Sequence, residues 1–141
     1  MTRVAIFEYM IGNTDWSVPA NHNIKIVHTD SDSMSKPYVV PYDFDFSGLV
    51  NTNYSVPDER LPITDVKQRV YRGFLRSESE INKVLDVFKK QKDSIYAIVN
   101  NCNLLWPASK KNMLGYLDEF FDTIKQPWLV RQTFISNART E

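Results

Sequence analysis

The chain is short of several residue types, and each shortage excludes a class of protein. One cysteine, Cys102, among 141 residues excludes an internal disulfide, and no Cys/His cluster has the spacing of a metal site. Seventeen basic and seventeen acidic residues give a formal net charge of zero. The broad basic footprint of nucleic-acid-binding or membrane-binding proteins is therefore missing, and neither partner is expected. Because no signal peptide or transmembrane run is present, we expect a soluble chain of unknown compartment.

Glycine is also scarce. The chain has four glycines and none lies near another, so a Gly-rich phosphate loop is excluded. Hydrophobic residues make up 43% of the chain and aromatic residues 13%. This is enough apolar side-chain volume for one folded domain with a core, and it argues against wholesale disorder.

The hydrophobic pattern predicts a mostly α protein with a small β-hairpin (α+β). Residues 4–11 are rich in apolar side chains and stop at Gly12, as expected for a helix. Residues 23–27 and 37–42 are β-prone, and a polar turn over residues 29–36 separates them. The first third of the chain is therefore predicted to be a helix followed by an antiparallel hairpin.

The second half of the chain is predicted to be helical. A capping box starts at Ser77, and further helices are expected to open at Asp93 and Ser109. Pro127 should end the third of these helices, and residues 128–138 are predicted to form the last one. The expected core aromatics between these helices are Trp106, Tyr116, Phe120 and Trp128.

We expect a single domain over residues 1–141 with three parts. Residues 1–48 hold the hairpin and its flanking loops, residues 49–76 a loop and a short helix, and residues 77–141 a helical subdomain. The short helix is predicted over residues 63–71.

Acidic and amide side chains flank the two predicted strands. Asp15 and Asn23 precede the first strand, and Asp43 and Asp45 follow the second. Antiparallel pairing brings the outer ends of a hairpin together, so we expect the two loops to face each other. Phosphoryl transfer needs a carboxylate that orients the attacking hydroxyl and hard oxygen ligands for Mg²⁺. The order of residues therefore predicts a magnesium-dependent phosphotransfer site.

Short motifs in this region resemble those of known kinases. NTD at residues 13–15, NIKI at 23–26 and VPYD at 40–43 resemble the catalytic and metal loops of HipA-type kinases, and the last motif is also similar to spore-coat protein H kinases. The longer phrases EYMIGNTDW at 8–16 and PYDFDFSG at 41–48 resemble an uncharacterised group of related bacterial proteins. The resemblance implies a kinase-like C-lobe without an N-lobe, using Mg²⁺ and ATP.

The resemblance also implies a role for each polar residue of the two loops. Asp15 would be the catalytic base, Asn23 and Asp43 the first and second metal ligands, and Asp45 a further ligand. His22 would contact a phosphate of the cofactor or simply fill the loop.

Two assignments have alternatives. Asn21 is closer than Asn23 to the spacing of the resembled kinases, but Asn23 is preferred because it directly precedes the strand. Arg72 is the second candidate for cofactor contact. It is expected either to pair with Asp43, Asp45 or Glu59 and hold the site, or to be solvated.

Two functions from different classes follow. The first is a Mg²⁺- and ATP-dependent kinase-like phosphotransferase, incomplete because nothing before Asp15 provides the nucleotide-gripping lobe. The second is a non-catalytic helical interaction domain, or pseudokinase-like fragment, that needs a partner. That partner, or a missing N-lobe, would pack on residues 4–16, where an exposed apolar face is expected. This face would consist of Val4, Ile6, Phe7, Met10 and Trp16.

Overall fold

The computed structural model of the chain describes residues 1–28 and 36–140. Nearly all of the predicted polar turn over residues 29–36 therefore lies outside the described residues. The elements are α1 (Thr2–Ile11), β1 (Ile24–Val27), β2 (Tyr38–Pro41), α2 (Glu78–Lys90), α3 (Lys92–Asn101), α4 (Pro107–Lys125), α5 (Pro127–Arg131) and a π-helical turn (Gln132–Ser136). The predicted fold class, mostly α with a small β-hairpin, is confirmed.

Helix α1 ends where the sequence places its first glycine. Gly12 has φ 68° and ψ 31°, a left-handed conformation that L side chains rarely adopt. Its N–H donates to the Tyr9 carbonyl at 3.1 Å, and the Asn13 N–H donates to the Glu8 carbonyl at 2.8 Å. A Cβ atom added at Gly12 would overlap the Tyr116 hydroxyl. Because Gly12 has no side chain, the backbone at the end of α1 can pack directly against Tyr116 of α4.

The hairpin is antiparallel with Ile24 opposite Pro41, Lys25 opposite Val40, Ile26 opposite Val39 and Val27 opposite Tyr38. Ile24 is buried, and Val39 packs against the core from the same face. The opposite face, with Lys25, Val27, Tyr38 and Val40, is exposed. The hairpin is thus held to the body by one face and by the contact of β2 with α1.

The core lies where α1 packs against α2 and α4. The predicted apolar faces of α2 and α4 provide most of it, because their side chains recur at helical spacing. Its fully buried members include Ile6, Ile81, Leu85, Leu117, Phe120 and Phe134. Within the described residues no helix combines the length and the apolar character needed to cross a bilayer.

The predicted short helix over residues 63–71 is wrong. The Gln68 side-chain oxygen accepts hydrogen bonds from the backbone N–H groups of Thr64 at 2.7 Å and Asp65 at 3.1 Å. The Asp65 carboxylate in turn accepts from Lys67 N–H at 2.8 Å. These side chains satisfy the backbone donors locally, so the segment forms turns instead of a helical ladder.

Two of the four predicted core aromatics are also placed differently. Tyr116 and Phe120 are buried as predicted, but Trp106 and Trp128 are 79% and 63% exposed. Helix α4 begins at Pro107 rather than at Ser109, because proline is favoured at the first helical position. Trp106 therefore becomes the N-cap of α4 and lies outside its apolar stripe.

The exposed apolar face predicted over residues 4–16 is not present as such. Ile6, Met10 and Trp16 are 0%, 4% and 6% exposed, because they pack into the core of the chain itself. Val4 and Phe7 are half-buried. They line an open apolar groove together with Pro41, Val87, Phe88 and Ile95.

Candidate functional site

Local hydrogen bonds shape the loop that carries Asp15. The side-chain oxygen of the buried Asn13 accepts from the Asp15 N–H at 3.0 Å, which tightens the turn after α1. Ser17 and His22 then form an antiparallel bridge with two backbone hydrogen bonds of 2.9 Å. This bridge closes a small loop and returns His22 to Asp15.

Both oxygens of the Asp15 carboxylate are engaged. Oδ1 lies 2.8 Å from His22 Nε2, and Oδ2 accepts from Asn23 Nδ2 at 3.0 Å. The same Asn23 nitrogen donates to the Asp15 carbonyl at 2.8 Å, which leaves the Asn23 amide oxygen free of Asp15. Of the two rival asparagines, Asn23 is the one that contacts Asp15. The backbone N–H of Asn21 donates to the Val18 carbonyl instead.

The hairpin brings the second loop to the first. Beyond the last strand pair, the Tyr42 N–H donates to the Asn23 carbonyl at 3.0 Å, so Asp43 directly follows the residue bonded to Asn23. The negative charge of Asp45 raises the pKa of Asp43, and the charge of Asp15 raises it further, while His22 has the opposite effect. Asp43 is exposed. Asp15, Asp43 and Asp45 thus form one cluster of mutually repelling carboxylates at the surface, which we call the acidic cluster.

Two residues from the following loop hold Asp45 in the acidic cluster. The Tyr54 hydroxyl donates to Asp45 Oδ2 at 2.9 Å, and the Thr52 hydroxyl donates to the Asp45 carbonyl at 3.1 Å. The bond to Asp45 raises the pKa of Tyr54. The sequence did not single out Thr52 or Tyr54. In the structure the Tyr54 ring also lies 5.9 Å from the Phe46 ring, a contact that no sequence pattern indicated.

Positive φ angles concentrate at this site. The four non-glycine residues with positive φ in the described part of the chain are Asn21 (53°), Asn23 (51°), Asp43 (60°) and Asn51 (50°). Three of them belong to the two loops. Asn and Asp tolerate this conformation better than other L residues, but it still costs free energy and persists only where neighbouring contacts impose it. The ladder and the Asp15 contacts supply that constraint.

Both loops are attached to the same end of α1. The Gly48 N–H donates to the Gly12 carbonyl at 3.1 Å, and the Leu49 N–H donates to the Ile11 carbonyl at 2.9 Å. The rings of Phe7 and Phe44 meet edge to face, with centroids 5.6 Å apart. The end of α1 therefore fixes the separation of the two loops, which is the property a catalytic constellation needs.

Arg72 has a different role from either one expected. Its Nη1 donates to the Thr14 carbonyl and, at 3.1 Å, to the Trp16 carbonyl. It makes no ion pair with Asp43, Asp45 or Glu59 in the described structure. Burial lowers the pKa of Arg72, and the nearby Arg139 lowers it further. Arg72 thus positions the backbone on both sides of Asp15.

The residues present suit a water-rich magnesium site. No three His, Cys, Asp or Glu side chains in residues 1–28 and 36–140 are grouped closely enough to hold a metal ion by themselves. Mg²⁺ commonly keeps several waters and takes only one or two carboxylates from the protein. Asp43 and Asp45 would provide these carboxylates, and the amide oxygen of Asn23 would provide a neutral ligand. The donor set is entirely oxygen, as Mg²⁺ prefers.

No protein-family model, curated protein or solved structure matches this chain. The kinase resemblance therefore rests on the motifs at residues 13–15, 23–26 and 40–43, and the longer phrases at 8–16 and 41–48 resemble only the uncharacterised group. The chemistry of the site has to be argued from its own geometry.

Proposed function

We propose that this chain carries a Mg²⁺-dependent, kinase-like phosphotransfer site that is incomplete in the isolated chain. The supporting observation is the hydrogen bond from Tyr42 N–H to the Asn23 carbonyl, because it joins the Asp15 loop to the Asp43 loop. In this proposal Asn23, Asp43 and Asp45 hold the cation and Asp15 orients the acceptor hydroxyl. ATP is the proposed phosphoryl donor.

The mutual repulsion of Asp43 and Asp45 supports cation binding. Two carboxylates close enough to raise a pKa are stabilised by an opposite charge placed between them. A bound Mg²⁺ would neutralise the charge that develops on the transferred phosphoryl group. The Asp15 carboxylate, fixed by His22 and Asn23, is held ready to accept a hydrogen bond from a hydroxyl. His22 is half-exposed and presents its other ring nitrogen for contact with a phosphate.

The exposure of the acidic cluster to solvent supports the proposal that the phosphotransfer site is incomplete in the isolated chain. The side chain of Asp15 is 40% exposed, and Asp43 is exposed as well. Phosphoryl transfer depends on positioning and on the exclusion of water, which an open surface does not provide. No Gly-rich loop exists in the sequence to grip the phosphates. In this proposal a separate lobe or partner protein supplies these functions.

Metal-dependent stability tests the proposal. At ten times its dissociation constant, Mg²⁺ should add about 1.4 kcal/mol to the free energy of unfolding, which corresponds to a melting-temperature rise of a few degrees. Asp43→Asn should abolish this rise. Without metal, the variant should melt no lower than the wild type, because one repelling charge is removed.

Asp86→Asn is the matched control. Asp86 is an exposed carboxylate on α2, paired only with Lys89 at 3.2 Å, and its loss should leave the Mg²⁺ response unchanged. An equal loss of response in both variants would mean that Mg²⁺ acts through the overall charge. A wild-type melting temperature indifferent to Mg²⁺ and Mn²⁺, with or without ATP, would contradict the proposal.

A non-catalytic interaction domain is the second candidate function, and the hairpin favours it. Tyr38, Val40 and Val27 are 63%, 47% and 45% exposed on one face of the two-stranded sheet. Apolar side chains grouped in this way commonly mark an interface. The two candidates differ in nucleotide dependence. A phosphotransfer site should give a larger melting shift with Mg²⁺ and ATP together than with Mg²⁺ alone, and an interaction domain should not.

A further inference from the structure

A second feature of the molecule lies on the other side of the Asp15 loop. The start of α1, the residues that follow Asp15 and the segment before α2 enclose a cavity of about 30 Å³. We call it the arginine pocket. The residues of its lining that matter here are Trp16, Tyr71, Arg72, Arg76 and Arg139.

The charge of the arginine pocket is one-sided. Three arginine residues line it, and no Asp or Glu of the described residues does. Arg72 and Arg139 lie close enough for each to feel the charge of the other. Arg76 has only a loose contact of 3.5 Å to Glu80. Arg139 lies over the Phe74 ring at 5.3 Å and forms no ion pair within the described structure. Arg72 is partly buried, whereas Arg76 and Arg139 are exposed. An anion placed between them would be attracted by all three positive charges.

Two unsatisfied donors point to the same kind of ligand. Trp16 and Tyr71 are 6% and 4% exposed, and both line the cavity. The Trp16 indole N–H and the Tyr71 hydroxyl are buried and have no hydrogen-bond partner. Buried polar groups almost always have one, so an orphaned pair indicates a ligand or an ordered water. Indole and guanidinium groups can only donate, and the ligand they suit is rich in acceptor oxygens.

The size of the cavity limits the ligand. A cavity needs roughly 10–15 Å³ to hold one water molecule, so about 30 Å³ admits two or three water-sized groups. This is enough for two or three of the four oxygens of a single tetrahedral oxyanion, with the rest at the open side, and too little for a nucleoside. Arginine guanidinium groups bind phosphate oxygens with two parallel hydrogen bonds, which fits both the charge and the shape.

From these contacts we propose that the arginine pocket binds a divalent phosphate group, either free or carried on a phosphorylated side chain. Arg139 and Arg76 would hold the oxyanion from the open side, and Arg72, Trp16 and Tyr71 from the closed side. This binding does not require the acidic cluster to be a phosphotransfer site.

The position of Arg72 gives the pocket a regulatory consequence that does rest on the proposed function. One nitrogen of Arg72 holds the Thr14 and Trp16 carbonyls on either side of Asp15. An oxyanion bound to its remaining N–H groups would fix the guanidinium and, through it, the Asp15 loop. Phosphate should therefore slow the amide exchange of Asp15, whose N–H donates to Asn13.

The Trp16 indole provides a direct readout of phosphate binding. In a Trp106→Phe/Trp128→Phe background, which removes the two exposed indoles, the remaining indole N–H signal in an NMR spectrum belongs to Trp16. Sodium phosphate is titrated at about pH 8, where the ion is divalent, with sodium chloride holding the ionic strength constant. The Trp16 signal should shift and saturate. In Arg139→Gln the apparent dissociation constant should rise at least about tenfold, equivalent to ~1.4 kcal/mol.

Arg131→Gln is the matched control. Arg131 is an exposed arginine paired with Glu78 at 3.0 Å and does not line the pocket, so its loss should not change phosphate binding. Arg76→Gln serves as a second pocket variant in case Arg139→Gln lowers the melting temperature. A Trp16 signal that phosphate does not move, or equal weakening in Arg131→Gln and in both pocket variants, overturns the proposal.

Two further experiments complete the test. One identifies the source of the phosphate, and the other separates phosphate binding at the arginine pocket from Mg²⁺ binding at the acidic cluster. O-phosphoserine should bind more tightly than inorganic phosphate if the pocket serves a phosphorylated side chain, and more weakly if it serves the free ion; either result supports the site. Asp43→Asn should keep the full phosphate response while losing the Mg²⁺ response. Loss of the phosphate response in this variant would contradict binding at the arginine pocket.

Discussion

Glu8 lies on the inner side of α1 with a carboxyl group that is 1% exposed, and neither of its oxygens has a hydrogen-bond partner. Burial raises the pKa of Glu8 to about 7 from an ordinary value of 4.5, and the neighbouring Asn13 side chain lowers it only in part. The folded protein therefore binds a proton more tightly than the unfolded chain does. Asn13 also accepts a hydrogen bond from the Asp15 N–H. The same asparagine side chain therefore lies next to Glu8 and holds the backbone of Asp15, a member of the acidic cluster.

The raised pKa of Glu8 predicts that the free energy of unfolding decreases as the pH rises. Its contribution is fully present below about pH 4.5 and is lost as the pH rises through about 7, because the folded state binds more protons in this window. Between roughly pH 5 and pH 8 the loss should be about 2–3 kcal/mol. Glu8→Gln should remove most of this fall, as measured by urea unfolding at both values. The surface variant Glu78→Gln should retain it, and a fall unchanged by Glu8→Gln would show that another group is responsible.

Gly12 and Gly115 form a second residue-scale comparison. Gly12→Ala should destabilise the protein by about 1–3 kcal/mol, because it imposes a positive φ on alanine and pushes a methyl group into the Tyr116 hydroxyl. Gly115 lies inside α4 with nothing within 4 Å of an added Cβ. Gly115→Ala should therefore stabilise by about 0.5–1 kcal/mol. Thermal unfolding should show a lower melting temperature for Gly12→Ala and a higher one for Gly115→Ala. Equal changes in melting temperature in the two variants would refute this account of Gly12.

At the scale of elements, Arg69 joins α1 to α4. Its guanidinium donates to the Met10 and Tyr116 carbonyls, lies 3.6 Å from the centroid of the Tyr116 ring, and pairs with Glu119 at 2.8 Å. Its side chain is 9% exposed, whereas that of Glu119 is 66% exposed. The backbone contacts of Arg69 are therefore expected to matter more than its ion pair.

Arg69→Met tests whether the backbone contacts of Arg69 contribute more to stability than its ion pair with Glu119. The substitution keeps the apolar stem but leaves two partly buried carbonyls without a donor, so the free energy of unfolding should fall by about 3 kcal/mol. Glu119→Gln removes only the exposed half of the ion pair and should cost less than about 1 kcal/mol. Urea unfolding measures both. A larger effect of Glu119→Gln than of Arg69→Met would show that the ion pair dominates.

Elements with local signals were predicted well. Ser77 caps α2 and accepts from the Glu80 N–H, and Gly12 ends α1, as the sequence indicated. The helix expected over residues 63–71 failed because Gln68 and Asp65 bond the backbone around them, a competition that apolar spacing does not report. Helix α4 begins at Pro107, two residues before the predicted start at Ser109, because proline is favoured at the first helical position.

At the scale of the whole molecule, the Asp15 loop separates two regions of opposite charge. The Asp15 side chain belongs to the acidic cluster, while the backbone around it is held by Arg72 from the arginine pocket. A net charge of zero conceals this arrangement. In our two proposals one of these regions binds a cation and the other, across a single loop, binds an anion.

The sequence by itself determined most of the elements of this protein, though not the segment over residues 63–71, and it determined the meeting of its two acidic loops. Caps and apolar periodicity are local, and an antiparallel hairpin has only one way to bring its outer ends together. Tertiary structure alone decided the arginine pocket, because Trp16, Arg72 and Arg139 are far apart in the chain and no spacing rule links them. It also decided that Glu8 is buried and that Trp106 is exposed, since both depend on how α1 and α4 are packed.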